Sequence, residues 1–164
     1  PMYAYKVYNK FKIYRPYSKR REDKWRNNCG PYDIQGWEQL QNNNDLVIIT
    51  KSLKDVMVLY KLGFNAIAPQ SENSTIPKTI IDNLKERFKK IIILFDNDTP
   101  GRDAAEKLST KYNIPYMYIS IDNYVLYNLK DISDYAKEFG SVAAENLIIK
   151  MLNEEKESYQ QESS

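Results

Sequence analysis

The chain has 164 residues, with 24 Lys and Arg against 22 Asp and Glu, one cysteine and no histidine. This length fits one domain, or one domain with a smaller appendage, and it buries enough apolar surface to fold without staples. A lone Cys29 excludes a disulfide framework or a Cys-type zinc site within the chain, and the absence of histidine excludes Ser-His-Asp and Cys-His nucleophiles and His metal ligands.

The N-terminal stretch alternates apolar and polar residues in Tyr3–Tyr8 and again in Phe11–Tyr14, with Asn9-Lys10 between. That pattern predicts a β-hairpin with one buried face. Lys6 to Arg26 is dense in Lys and Arg, with Glu22 and Asp23 its only acids, which points to a polyanion-facing end. Arg15 to Asn28 reads as a basic loop, Gly30-Pro31 as a turn, and Ile34 to Leu40 as a short helical or irregular connector.

From Leu46 onward strand and helix alternate. Strands are predicted at Leu46–Thr50, Asn65–Ala68, Ile91–Phe95 and Tyr116–Ile119. Helices are predicted from the Ser52 N-cap to Leu62, over Pro77–Lys89, over Arg102–Tyr112, within Leu129–Phe139 and over Val142–Leu152. This alternation predicts an α/β fold, a parallel four-stranded sheet with helices on both faces, preceded by the small basic hairpin. The units read as a basic N-terminal subdomain (1–44), an α/β core (45–140), a C-terminal helix (141–152) and a disordered tail (153–164). Val56, Leu59 and Tyr60, and likewise Leu147, Ile148 and Met151, form core stripes. No apolar run approaches the roughly 20 residues of a membrane span, and no signal-peptide pattern occurs, so a cytoplasmic protein is expected.

The most informative stretch is Ile91 to Ala105, where an apolar run ends in Asp96-Asn97-Asp98, then Thr99-Pro100-Gly101 and a helix start. A buried parallel strand reads this way, and its carboxyl end is where open α/β sheets bind ligands. Asp96 and Asp98 sit two apart, on one side of extended backbone, and two hard oxygen ligands suit Mg²⁺ with substrate phosphates. The competing reading is a capped turn. Gly101 and Arg102 lie where a helix N-terminus cradles phosphate, although Gly101 is also a simple turn requirement.

Three segments together carry a resemblance: Leu46 to Leu59 with Asp55; Asp96-Asn97-Asp98 followed by Gly101 and Ala104-Ala105; and Lys130-Asp131-Ile132-Ser133-Asp134. Over about Leu46 to Gly140 the sequence resembles the Toprim domain, in its DnaG-type and phage primase (primase-helicase) version. The resemblance implies a Toprim-like, Rossmann-like sheet. It implies Asp96 and Asp98 as catalytic metal ligands for Mg²⁺ or Mn²⁺, with Asp55 as metal or neighbouring residue. Asp131 and Asp134 either complete the acidic cluster or cap a helix, capping being favoured for Asp134. One departure stands out. The family carries a glutamate just after the first core strand, where this chain has Lys51. Charged lysine cannot ligate Mg²⁺. Either another carboxylate substitutes, Glu72 being the best placed, or the site works with fewer ligands, or catalysis is lost. Lys51 itself would contact a phosphate, or pair with Asp96 or Asp98.

The function implied is that of the catalytic RNA polymerase domain of a phage or prophage-type DNA primase. Its partners would be a single-stranded DNA template, nucleoside triphosphates and a replicative helicase, with no membrane. Lys12, Arg15, Lys19, Arg20, Arg21, Lys24 and Arg26 would track a nucleic-acid backbone, with Trp25, Tyr14 and Tyr17 stacking on bases. The alternatives are a non-catalytic nucleic-acid-binding Toprim, motivated by Lys51, and a Toprim nuclease. No P-loop and no Cys/His zinc module occurs in these residues, so a fragment or a reduced protein is expected.

Overall fold

The computed structural model describes residues 1–42, 45–70, 75–119 and 129–162, with 156–162 described as backbone only. Seven strands and five helices are placed among them. In chain order they are β1 (Tyr3–Val7), β2 (Lys10–Tyr14), β3 (Trp25–Asn27), β4 (Leu46–Thr50), α1 (Leu53–Lys61), β5 (Asn65–Ile67), α2 (Lys78–Arg87), β6 (Lys90–Leu94), α3 (Thr99–Tyr112), β7 (Tyr116–Met117), α4 (Ile132–Phe139) and α5 (Ser141–Glu162). Strands β5, β4, β6 and β7 form one parallel sheet in that order.

Period-two alternation decides which face each apolar side chain fills. Val47, Ile49, Ile91 and Ile93 point to one side, where they meet Ile81 and Leu84 of α2 and Ala105 of α3. Ile48, Ile92 and Leu94 point to the other, against Val56 and Leu59 of α1, Ile132 of α4 and Ala144 and Ile148 of α5. Both faces are covered, so the central strands read as unbroken apolar runs. Each fully buried Ile or Leu of this kind contributes roughly 1.5–3 kcal/mol.

The N-terminal sheet has the order β1-β2-β3 and is antiparallel. The hairpin turn is Tyr8-Asn9, not Asn9-Lys10, since Lys10 pairs with Val7. Strand β3 corrects the basic-loop expectation. Its polar sequence gives no alternation, but Trp25 pairs with Tyr14 and stacks on it at 4.3 Å between ring centroids. The sheet is tied to the core by buried Val7, by Lys10 Nζ on Asp33 Oδ2 at 2.7 Å, and by Lys12 Nζ on the Gln70 carbonyl at 2.7 Å. The intervening connector extends the parallel sheet with an antiparallel bridge, Gln35 to Ala68.

Two further expectations change. Tyr60 is exposed rather than core. Helix α5 runs on to Glu162, past the expected end at Leu152. Its extension is rich in helix-forming Glu and Gln, is joined to the preceding turn by a Lys150–Glu154 pair at i,i+4, and is pinned by an ion pair from Lys90 to Glu155.

Candidate acidic site at the sheet edge

Parallel pairing places the ends of β4 and β6 side by side, Thr50 opposite Leu94. Lys51, one residue past Thr50, and Asp96, two past Leu94, therefore leave the sheet at the same edge. Three helices begin there, each with a side-chain cap. Ser52 caps α1 by accepting from the Asp55 N–H at 3.2 Å, Asp98 caps α3 by accepting from the Gly101 N–H at 2.8 Å, and Asp131 caps α4 by accepting from the Asp134 N–H at 2.7 Å. Their positive dipole ends favour acidic side chains at this edge. Asp131, not Asp134, is the α4 cap; Asp134 lies in the first turn.

Carboxylate oxygens of Asp55, Asp96 and Asp131 lie within 4.8 Å of one another. All three side chains belong to buried residues. Asp55 accepts from the Ser52 hydroxyl at 2.6 Å, from the Ser133 N–H at 3.3 Å and from the Ser133 hydroxyl. Burial, and then the charge of Asp131, push its carboxyl up to about 6. Burial likewise raises Asp96, against the opposing pull of Lys51 and Lys130.

Asp98 stands beside this triad, not in it. Lys51 Nζ lies 3.4 Å from Asp96 Oδ2 and 3.9 Å from Asp98 Oδ1, with its side chain only 5% exposed. Lys130 Nζ lies 3.5 Å from both Asp96 Oδ2 and Asp98 Oδ2. Burial alone would raise Asp98, but the Gly101 N–H, Lys51 and Lys130 outweigh it and hold the carboxyl below its ordinary range. On the far side Lys54 Nζ reaches Asp131 Oδ2 at 3.3 Å and Asp134 Oδ1 at 3.4 Å.

The pairing of Lys51 with Asp96 and Asp98, weighed from the sequence, is thus present. Lys54 and Lys130 are the cations that sequence reasoning missed; their place next to Asp55 and Asp131 in the quoted segments was the available signal. Asn97 was missed as well. It is buried, its Nδ2 donates to the Ile119 carbonyl at 2.6 Å and its N–H to the Lys130 carbonyl at 2.7 Å, so it fixes the Lys130 loop over the strand end. Glu72 lies outside the described residues.

Gly101 does not present a free amide to a phosphate, because its N–H is taken by Asp98. It is glycine for space: a Cβ there would sit 2.2 Å from the Asp96 carbonyl oxygen. Arg102 donates from Nε to Asn97 Oδ1 at 2.8 Å and lies 5.7 Å from the Tyr118 ring centroid.

The basic segment divides into two kinds. Lys12 is buried on Gln70 and Gln35 and lies 4.8 Å from the Trp25 ring centroid, and burial lowers its pKa. It is a strut, not a surface cation. Lys19, Arg20, Arg21, Trp25 and Arg26 are exposed, and Arg15 and Lys24 half-buried. Tyr3, Tyr14 and Trp25 are cross-strand neighbours, and their rings stack at 6.4 and 4.3 Å.

A parallel sheet flanked by helices, with acidic residues gathered at its carboxyl edge, defines an α/β domain whose acidic cluster lies where open α/β sheets bind ligands. Residues 48–136 match the Toprim-like family, and the chain belongs to it. No curated protein matches it. Among solved structures the fold is similar to that of the RNA polymerase domain of Mycobacterium tuberculosis primase DnaG, at 17% identity and TM-score 0.64, covering 85% of this chain and 50% of that one. It is similar to a DnaG primase catalytic domain bound to single-stranded DNA, at 18% identity and TM-score 0.63, covering 86% and 47%. It is also similar to a chain of a bacteriophage T7 assembly at 17% identity and TM-score 0.59, covering 91% and 74%. In that assembly lagging-strand DNA polymerase interacts with primase domains bound to an RNA/DNA hybrid and dTTP. The chain spans about half the length of the two DnaG structures.

Proposed function

We propose that this chain is the Toprim part of a primase-type RNA polymerase domain of phage kind, acting with a divalent cation, Mg²⁺ or Mn²⁺, on nucleoside triphosphates along single-stranded DNA. The observation that carries this reading is the convergence of Asp55, Asp96 and Asp131 within 4.8 Å at the carboxyl edge of the sheet. Three carboxylates so placed suit a hard divalent cation, and they would hold it. When bound, such an ion supplies positive charge to phosphoryl oxygens and acidifies a hydroxyl nucleophile. Lys130 and Lys54 are 44% and 59% exposed at their side chains, so their ammoniums can turn from the aspartates to substrate phosphates. The exposed basic residues of 1–44 would track the template, with Trp25 and Tyr14 stacking on its bases. A replicative helicase is the partner this reading implies.

A second reading has a specific support of its own. Lys51 sits in the acidic cluster, so a Toprim module that binds nucleic acid without metal and without catalysis is the rival. Primer synthesis on single-stranded DNA with nucleoside triphosphates and Mg²⁺ or Mn²⁺ separates the two. The first reading expects labelled oligonucleotide product that Asp96→Asn abolishes. Template binding that persists in chelator, with no product under any metal, would replace it with the second.

A further inference from the structure

We infer that the Lys51 ammonium is a resident cation of the acidic site, and that the site therefore takes one divalent ion, at Asp55, Asp96 and Asp131, rather than two. The inference rests on the metal-binding reading above and deepens it.

Two carboxylate groups share Asp96. On one side Asp55, Asp96 and Asp131 bring oxygens within 4.8 Å. On the other, Asp96 and Asp98 form a pair that would suit a second ion, but both carboxylates already face the same two ammoniums. Lys51 Nζ stands 3.4 and 3.9 Å from them, and Lys130 Nζ 3.5 Å from each. Lys51 cannot swing aside cheaply. Its side chain is 95% buried, and moving it would leave an ammonium in a low-dielectric pocket without its partners. Lys130 is far more exposed and is free to leave.

Charge points the same way. Asp55, Asp96, Asp98, Asp131 and Asp134 carry five negative charges when ionised, and Lys51, Lys54 and Lys130 carry three positive ones. The remaining −2 matches one divalent cation. With all three ammoniums in place, a second would take these eight described side chains to +2. Lysine thus does for Asp98 what a second ion would do, permanently and without exchange.

The test counts ions on the full chain. Mn²⁺ binding is followed by calorimetry and by the loss of the free-ion electron paramagnetic resonance signal, in wild type, Lys51→Glu and Lys51→Gln, with folding checked by circular dichroism. Wild type is expected to bind one ion. Lys51→Glu, which exchanges the ammonium for a carboxylate, is expected to bind two. Lys51→Gln, which only removes the charge and so retains the fold most readily, is expected to bind the first ion roughly tenfold more tightly. Two ions on wild type overturn the inference while the metal reading stands. One ion on all three proteins with unchanged affinity overturns the role of Lys51. No ion on wild type overturns both the inference and the metal reading.

Discussion

At the scale of single residues, the site is a set of charges whose neighbours decide their state. Asp55 is strongly perturbed. It is buried among hydroxyls, and burial and then the charge of Asp131 push its carboxyl up to about 6, against an ordinary value of 3.8. A raised carboxylate pKa means the folded state binds a proton that the unfolded chain has already lost. Between pH of about 4 and 6 the native state holds more protons, so this group makes stability fall as pH rises through that window. Its penalty is complete above pH of about 6, where it is on the order of 2–3 kcal/mol. Asp55→Asn removes the titration and keeps the shape. In the metal-free protein, the variant should gain on wild type as pH rises from about 4 to 7. Urea melts across that range read the difference directly, and a difference independent of pH would contradict this account. Asp98 runs the other way: its depressed pKa contributes stability above its unfolded value that is lost as pH falls, which is why the comparison must be wild type minus variant.

At the scale of elements, backbone approach matters as much as charge. The turn from β6 into α3 is so tight that Gly101 touches the Asp96 backbone, and a Cβ would meet the Asp96 carbonyl carbon at 2.9 Å as well as its oxygen at 2.2 Å. Neither partner is a flexible side chain, so Gly101→Ala must move the strand end. It should cost about 1–3 kcal/mol by overpacking, and it should also weaken any ligand held by Asp96. Thermal melting together with Mn²⁺ affinity measures both; an unchanged affinity would mean the α3 cap and Asp96 move independently. Much of this architecture was legible in advance, because the α/β core is written in strong local signals: the apolar runs Leu46–Thr50 and Ile91–Phe95, Ser52 three residues before Asp55, and Pro100-Gly101 after the acidic pair. What was not legible depends on pairs distant in sequence. Strand β3 exists because Trp25 finds Tyr14 across a turn. Asp131 joins Asp55 and Asp96 only after α4 packs on α1. Lys12 has the composition of a surface cation and becomes a buried strut only because Gln35 and Gln70 lie opposite it.

At the scale of the whole molecule, a small antiparallel sheet is carried on a parallel α/β core, and one side of it leaves a row of stacked aromatics uncovered. Tyr3, Tyr14 and Trp25 stand in register across β1, β2 and β3, and Trp25 remains 45% exposed despite its stacking. In the same N-terminal segment Lys19, Arg20, Arg21 and Arg26 are exposed, Arg26 in an ion pair with Asp23. On the proposed reading, these ring faces and basic side chains would hold single-stranded nucleic acid without reading its sequence. The two components can be separated by measurement. Trp25→Ala should weaken binding of a short oligothymidine by about 1–3 kcal/mol with little change in salt dependence, since it removes stacking and no charge. Arg21→Ala should lose less affinity at high salt and lower the slope of log K against log salt by about one, since it removes a phosphate contact. Lys12→Met tests the distinction the fold draws between lysines. Its ammonium is taken by the Gln70 carbonyl and Gln35, so the variant should lower the melting temperature and leave the salt slope unchanged. Fluorescence anisotropy titrations at several salt concentrations, run in chelator so that the acidic site plays no part, decide all three. If Lys12→Met lowers the slope as Arg21→Ala does, then Lys12 leaves its strut to meet the strand, and the docking of the two sheets must open when nucleic acid binds.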